Sequence, residues 1–215
     1  DDLYVTRNKT SECINLIIKD LDDAIDALPW KWTGDDEGRF TKATVMALKG
    51  RILLYYASPQ FNPENKAERW ETAYTYNKMA AEQIEANGYG LYDSYENIWF
   101  DEMNKEVLFV TRYQEPDITH HWDAATRPLS EAQNYSGCNQ PTKEMVESYP
   151  MITGTPITES PDYDPLHFWQ NRDPRFTSTI AYNGCKWELS GKKDRIQWTY
   201  QGPVSYTHLR AHETK

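Results

Sequence analysis

Cysteine, positive charge and uninterrupted apolar sequence are all scarce in this chain. No apolar run approaches the roughly 20 residues that a membrane-spanning helix needs; the longest, Ile52 to Ala57, has the length of one helix face. The three cysteines, Cys13, Cys138 and Cys185, fit no zinc-ligand spacing, and an odd number closes no disulfide framework. Buried free thiols are the expectation for all of them. Lys and Arg number 23 against 33 Asp and Glu, which gives a net charge of -10. A nucleic-acid surface needs clustered cations to displace counterions, so that class of partner is excluded.

Catalytic motifs are missing as well. There is no Gly-rich phosphate loop, G-x-S-x-G elbow, H-E-x-x-H pair or Cys–His nucleophile pattern. Among 33 acidic residues, carboxylate pairs arise by chance and give a glycosidase reading no force. His120 and His121 are adjacent, and neighbouring side chains diverge on an extended chain. No metal site and no cofactor are therefore expected. The chain starts at Asp1 without Met, which reads as an internal cut, so the missing leader says nothing about location. Val204 to Thr214 reads VSYTHLRAHET and looks like a translated sequencing adapter. Residues 204–215 are expected to be a non-native tail and are left out of the fold reading.

What is present begins with helices. Ile14, Ile17, Ile18, Leu21, Ala24, Ile25 and Leu28 recur at spacings of three and four, which predicts a helix over 11–28 that Pro29 stops. Trp30 to Gly38 reads as a loop from its Gly and Asp content. Thr41 is a good N-cap for a second helix that ends at Ser58-Pro59. Along it, Ala43, Ala47 and Gly50 form a seam of small residues. A helical Gly costs about 1 kcal/mol relative to Ala, so Gly50 predicts close approach of a neighbouring helix. Glu64 to Arg69 reads as a polar connector. A third helix over 70–87 places Trp70, Ala73, Tyr74, Asn77, Ala80, Ala81 and Ile84 on one side, and Asn87-Gly88 ends it. Small residues facing large ones across two helices is the interlock of a tetratricopeptide unit. One such unit leaves apolar faces uncovered, so further repeats are expected in a longer protein, and this stretch alone is expected to be marginal in solution.

From Glu106 the pattern changes. Val107 to Val110 reads as a short strand, and 113–140 has no period. Thr142 caps a short helix from Lys143 to Ser148. The run Arg172-Asp173-Pro174-Arg175-Phe176 reads as a structural turn with Arg–Asp pairing, and Thr177 to Tyr182 as a strand.

These blocks carry a resemblance. GRFTKATVMALKGRILLYYASPQFN from Gly38 to Asn62, then Trp70, Ala73, Ala80, Ile84 and Gly88-Tyr89-x-Leu91-Tyr92, resemble the SusD/RagB-like family of Bacteroidota. So do Asn104 to Phe109, Pro141 to Val146, and Arg172 to Phe176, all in the family's order. The resemblance covers nearly all of 1–203. It implies a mainly α fold, a tetratricopeptide-like helical-repeat scaffold over 10–92, with irregular loops and a few short strands over 105–203. It also implies a lipoprotein on the extracellular face of the outer membrane, held by a lipid anchor outside this stretch. Such a protein binds glycans, or sometimes peptides, and serves a TonB-dependent SusC-like transporter without catalysis. A protein-interaction scaffold of the same architecture is the other reading.

Aromatic content supports sugar chemistry. Aromatics make up 13% of the chain, including 8 Trp and 15 Tyr. The C–H face of a pyranose stacks on such rings while amides, carboxylates and guanidinium groups take its hydroxyls. One platform removes about 40–80 Å² from water, about 1–2 kcal/mol, whereas millimolar binding needs about 4 kcal/mol. A site must therefore combine several groups. The loop 120–140 offers Trp122 and Tyr135 with Asp123, Arg127, Gln133, Asn134 and Asn139, and is the first candidate. Packing of this loop on the scaffold is the alternative for each ring. Trp30 and Trp32, beside Asp35, Asp36 and Glu37, form a second candidate patch, with packing on the next helix as the alternative; Phe168 and Trp169 are expected in the core.

Overall fold

The computed structural model describes residues 6–114, 116–119, 140–188 and 192–200. It divides into two compact units, 1–112 and 113–215.

The first unit is helical. Helices α1 (Thr10–Ala27), α2 (Lys42–Ala57) and α3 (Ala67–Ala86) follow in order, and α2 packs against both α1 and α3. On α1 the expected stripe is half-buried at Ile14, Ile18, Leu21, Ala24, Ile25 and Leu28, while Ile17 stays exposed. Helix α2 starts as its cap requires, with Thr41 Oγ1 accepting from the Thr44 N–H at 3.2 Å. Arg69 reaches the Tyr56 carbonyl, and Asn77 reaches that of Gly50, so positions on α2 and α3 match in opposite directions and the pair is antiparallel.

The small seam is where these helices meet. Ala43 and Gly50 are buried, as are Ala73 and Ala80 on the facing helix. A methyl group at Gly50 would lie 2.2 Å from Asn77 Oδ1. Asn77 Nδ2 donates to the Gly50 carbonyl at 3.0 Å and to its own helix at Ala73 at 2.8 Å. A second link runs the other way: Lys49 on α2 pairs with Asp22 on α1 while its ammonium lies 4.7 Å from the Tyr76 ring. Burial and the Asp22 carboxylate push the Tyr76 hydroxyl up to about 12.

Two sequence expectations for α3 need correction. The helix begins at Ala67, within the segment read as a connector, because Asn62 already organises the turn. Its Nδ2 donates to the Ala57 and Lys66 carbonyls and its Oδ1 accepts from the Lys66 N–H, which leaves the chain ready to coil at Ala67. The buried face is also rotated from the one expected. Ala73, Tyr76, Ala80 and Ile84 turn inward, while Trp70, Tyr74 and Ala81 are exposed. At the inner position the Tyr76 ring meets the Lys49 ammonium, 4.7 Å away.

The expected strand Val107 to Val110 does not form. This segment has no neighbouring strand among the described residues and is held by other means. Thr44 Oγ1 donates to the Leu108 carbonyl at 2.6 Å, and Phe109 stacks on Phe40 at 4.6 Å and 10°.

The second unit centres on Phe176, fully buried, with Met151, Ile157 and Ile180. Tyr149, Phe168, Trp169 and Tyr182 build an aromatic cluster around it, so Phe168 and Trp169 are half-buried parts of that core. Helix α4 (Lys143–Ser148) begins with the expected Thr142 cap. The expected strand over 177–182 is replaced by helix α5 (Pro174–Thr179), because Asp173 caps it and Pro174 fits its first turn. The Arg172 run is structural, as expected. Arg172 is buried, and its guanidinium donates to the carbonyls of Phe168, Val146 and Tyr149 at 2.6, 2.8 and 2.7 Å. Asp173 and Arg175 form the ion pair. A small antiparallel ladder joins β1 (Cys185–Lys186) to β2 (Ile196–Gln197).

Of the cysteines, Cys185 is buried, and burial pushes its thiol up. Cys13 is exposed, contrary to expectation, because its position on α1 lies off the packed stripe. Cys138 lies outside the described residues.

Candidate ligand site

All seven residues expected first at the ligand site, Trp122, Asp123, Arg127, Gln133, Asn134, Tyr135 and Asn139, lie outside the described residues. The second expected patch lies within them. In the first unit, the loop after α1 and the segment 103–110 enclose an open depression of about 370 Å³. Trp32 and Tyr89 contribute aromatic surface, Lys31, Glu37 and Arg39 contribute charge, and Asn104 contributes an amide.

Each ring is fixed from behind. Trp32 Nε1 donates to the Phe40 carbonyl at 2.8 Å, which pins the indole across its own loop. The Tyr89 hydroxyl donates to the Trp30 carbonyl at 2.8 Å, and the Lys31 ammonium lies 5.4 Å from the Tyr89 ring. Tyr89 reaches this place because α3 ends at Asn87 and Gly88 turns the chain with φ of +84. Asn104 is buried and rigid. It donates to the Ile98 and Asp101 carbonyls at 3.1 and 2.7 Å and accepts from the Glu106 N–H at 2.9 Å.

Of the residues read from sequence in the second patch, the structure brings Trp32 and Glu37 to the depression. Trp30 contributes its carbonyl to Tyr89 and places its ring 5.7 Å from the Lys42 ammonium. Asp36 pairs with Arg39 at 3.1 Å. In the sequence, Tyr89 and Asn104 stand only as parts of the blocks that carry the family resemblance; nothing in their spacing joins them to Trp32. Their meeting depends on the path taken after α3.

Chemically, the depression offers flat apolar surface beside charged side chains. Among the described residues no three His, Cys, Asp or Glu side chains gather as a metal site. No helix there is long and apolar enough to cross a membrane.

Comparison with known proteins places the chain. No curated protein matches it. Among solved structures, it resembles a SusD-like protein, BF3747, from Bacteroides fragilis NCTC 9343, with a TM-score of 0.64 and 26% identity over 86% of this chain and 37% of the other. It also shares the fold of a structure named BT4246, with a TM-score of 0.66 and 20% identity over 87% of this chain and 44% of the other. The chain thus spans 37% and 44% of the length of these two structures. Its α2–α3 pair, with small residues at the contact, is the tetratricopeptide-like unit of such a scaffold. The SusD family matches residues 95–214, more than half of the 215, and the chain belongs to that family.

Proposed function

We propose that this chain is part of a non-catalytic cell-surface protein that binds a glycan and passes it to a TonB-dependent SusC-like transporter. The observation that carries this reading is the SusD family match over 95–214, which includes the aromatic loop 120–140. The mainly helical scaffold supports it, since a rigid frame that holds out irregular segments suits a binding protein. The same reading gives the protein a lipid anchor and a place on the extracellular face of the outer membrane. The family match runs to residue 214, so the reading of 204–215 as a non-native tail rests on the run VSYTHLRAHET alone; resequencing the source DNA across Pro203 tests that part.

Ligand contact is assigned to Trp122 and Tyr135 as stacking platforms, with Asp123, Arg127, Asn134 and Asn139 as hydroxyl partners. Affinity electrophoresis in gels containing neutral polysaccharides tests the assignment. The protein is expected to be retarded by at least one of them. Trp122→Ala is expected to weaken that binding about 5- to 30-fold, the equivalent of one lost platform. Equal retardation of both forms would remove this loop from the site. A protein retarded by no glycan that still co-purifies with an outer-membrane transporter would be an interaction scaffold instead.

A further inference from the structure

A second aromatic surface lies on the segment that follows α3. Trp99 is 76% exposed and Phe100 82% exposed, at the end of a 3₁₀ turn over Asn97–Trp99. Rings this exposed on a slack loop would mean little. Here the loop is cross-braced. The Tyr92 N–H donates to the Glu106 carboxylate at 2.9 Å, and the Tyr92 hydroxyl donates to Asp101 at 3.0 Å. Lys105 pairs with Asp93 at 2.8 Å, and its carbonyl accepts from the Gly90 N–H at 3.0 Å. The buried Asn104 ties down both ends of the turn, at Ile98 and Asp101. The frame is satisfied internally and holds the two rings outward.

The rings themselves are unengaged. Neither stacks on another ring among the described residues, and the Trp99 indole N–H meets no acceptor there. Around them, the stretch from Leu91 to Glu106 carries five carboxylates, Asp93, Glu96, Asp101, Glu102 and Glu106, against one lysine. Glu96, one turn before Trp99, has no hydrogen bond or ion pair among the described residues. A dry protein interface here would have to strip water from several carboxylates, which is costly. A neutral sugar would not: its C–H face covers a ring, its hydroxyls reach the carboxylates, and the charges stay hydrated. An anionic sugar would be repelled.

We infer that Trp99 and Phe100 form a further contact surface for neutral glycans, with Glu96 as a hydroxyl acceptor. This rests on the glycan-binding reading above. It places a stacking site outside the loop 120–140 and gives the protein a charge-based selectivity.

The test uses the full 215-residue chain and four neutral probes, maltohexaose, cellohexaose, xylohexaose and mannohexaose, with trigalacturonate as the anionic probe. Calorimetry measures affinity, and hydroxyl-radical footprinting reads protection of individual tryptophans. At least one hexasaccharide is expected to bind and to protect Trp99 from oxidation. The double variant Trp99→Ala, Phe100→Ala should lower its affinity at least about tenfold. Trp99→Tyr, which keeps a platform, should retain most of it, and trigalacturonate should neither bind nor compete. Both rings lie on the surface, so circular dichroism of the variants should match the parent. A hexasaccharide that binds parent and double variant equally, and protects Trp122 but not Trp99, overturns this inference and leaves the broader reading standing. Failure of all four to bind the parent chain overturns both.

Discussion

At the scale of single residues, one contact shows how a sequence rule and a tertiary contact trade against each other. Gly50 sits inside α2, where Ala would be favoured by about 1 kcal/mol. It is Gly because Asn77 of α3 occupies the space a methyl group would fill, 2.2 Å from where its carbon would sit. The obstruction is the end of a side chain and not backbone, so Gly50→Ala would push Asn77 off its two carbonyl partners. Two hydrogen bonds at about 1 kcal/mol each outweigh the gain in helix propensity. Gly50→Ala alone is therefore expected to cost about 1 kcal/mol. In an Asn77→Ala background the obstruction is gone, and the same change should stabilise by about 1 kcal/mol. Urea titrations of the four forms measure this cycle. A Gly50→Ala effect of the same sign and size in both backgrounds would contradict the close contact. From sequence, Gly50 was legible as a contact and Asn77 as helical, but not their pairing.

At the scale of elements, capping decided more than β-propensity did. Thr177 to Tyr182 is rich in residues that favour strands, yet Pro174–Thr179 is helical. Asp173 Oδ1 accepts from the Arg175 N–H at 2.9 Å, and the Arg175 guanidinium grips the same carboxylate at 2.9 and 2.7 Å. The Asp173–Pro174 pair thus starts a helix that carries Phe176 into the core. The guanidinium, then the N–H, hold the Asp173 carboxyl at about 2, well below the usual carboxylate range. A carboxyl with a depressed value in the folded chain stabilises only when ionised. Its contribution is complete above its unfolded value of about 3.9, and is lost as pH falls towards 2. The stability difference between the parent and Asp173→Asn is expected to shrink from pH 5 to pH 2, measured by denaturant titration at each pH. A constant difference would mean that the carboxylate does not lock α5. The failed strand at Val107 to Val110 makes the complementary point. An apolar run needs a partner ladder to become a strand, and this one meets Thr44 and Phe40 instead.

At the scale of the whole molecule, the rotation of α3 has a visible consequence. With Tyr76 turned inward, Leu54, Trp70 and Tyr74 border an open apolar groove of about 450 Å³ between α2 and α3. Such a surface binds apolar dyes and lowers solubility. Leu54→Ser with Tyr74→Ser is expected to reduce the fluorescence of bound anilinonaphthalene sulfonate while the far-UV helical signal stays the same. A loss of helicity would mean that these side chains support the hairpin. The sequence by itself determined helices α1 to α4, the Thr41 and Thr142 caps, the close seam at Gly50 and the family, because period, capping chemistry and small-residue spacing are local properties. Tertiary structure alone decided which face of α3 is buried, that Tyr89 and Asn104 line one depression with Trp32, and that Trp99 and Phe100 stand outward on a braced loop. Those outcomes depend on contacts between residues distant in the chain, where a neighbour's charge or shape outweighs what the local pattern prefers.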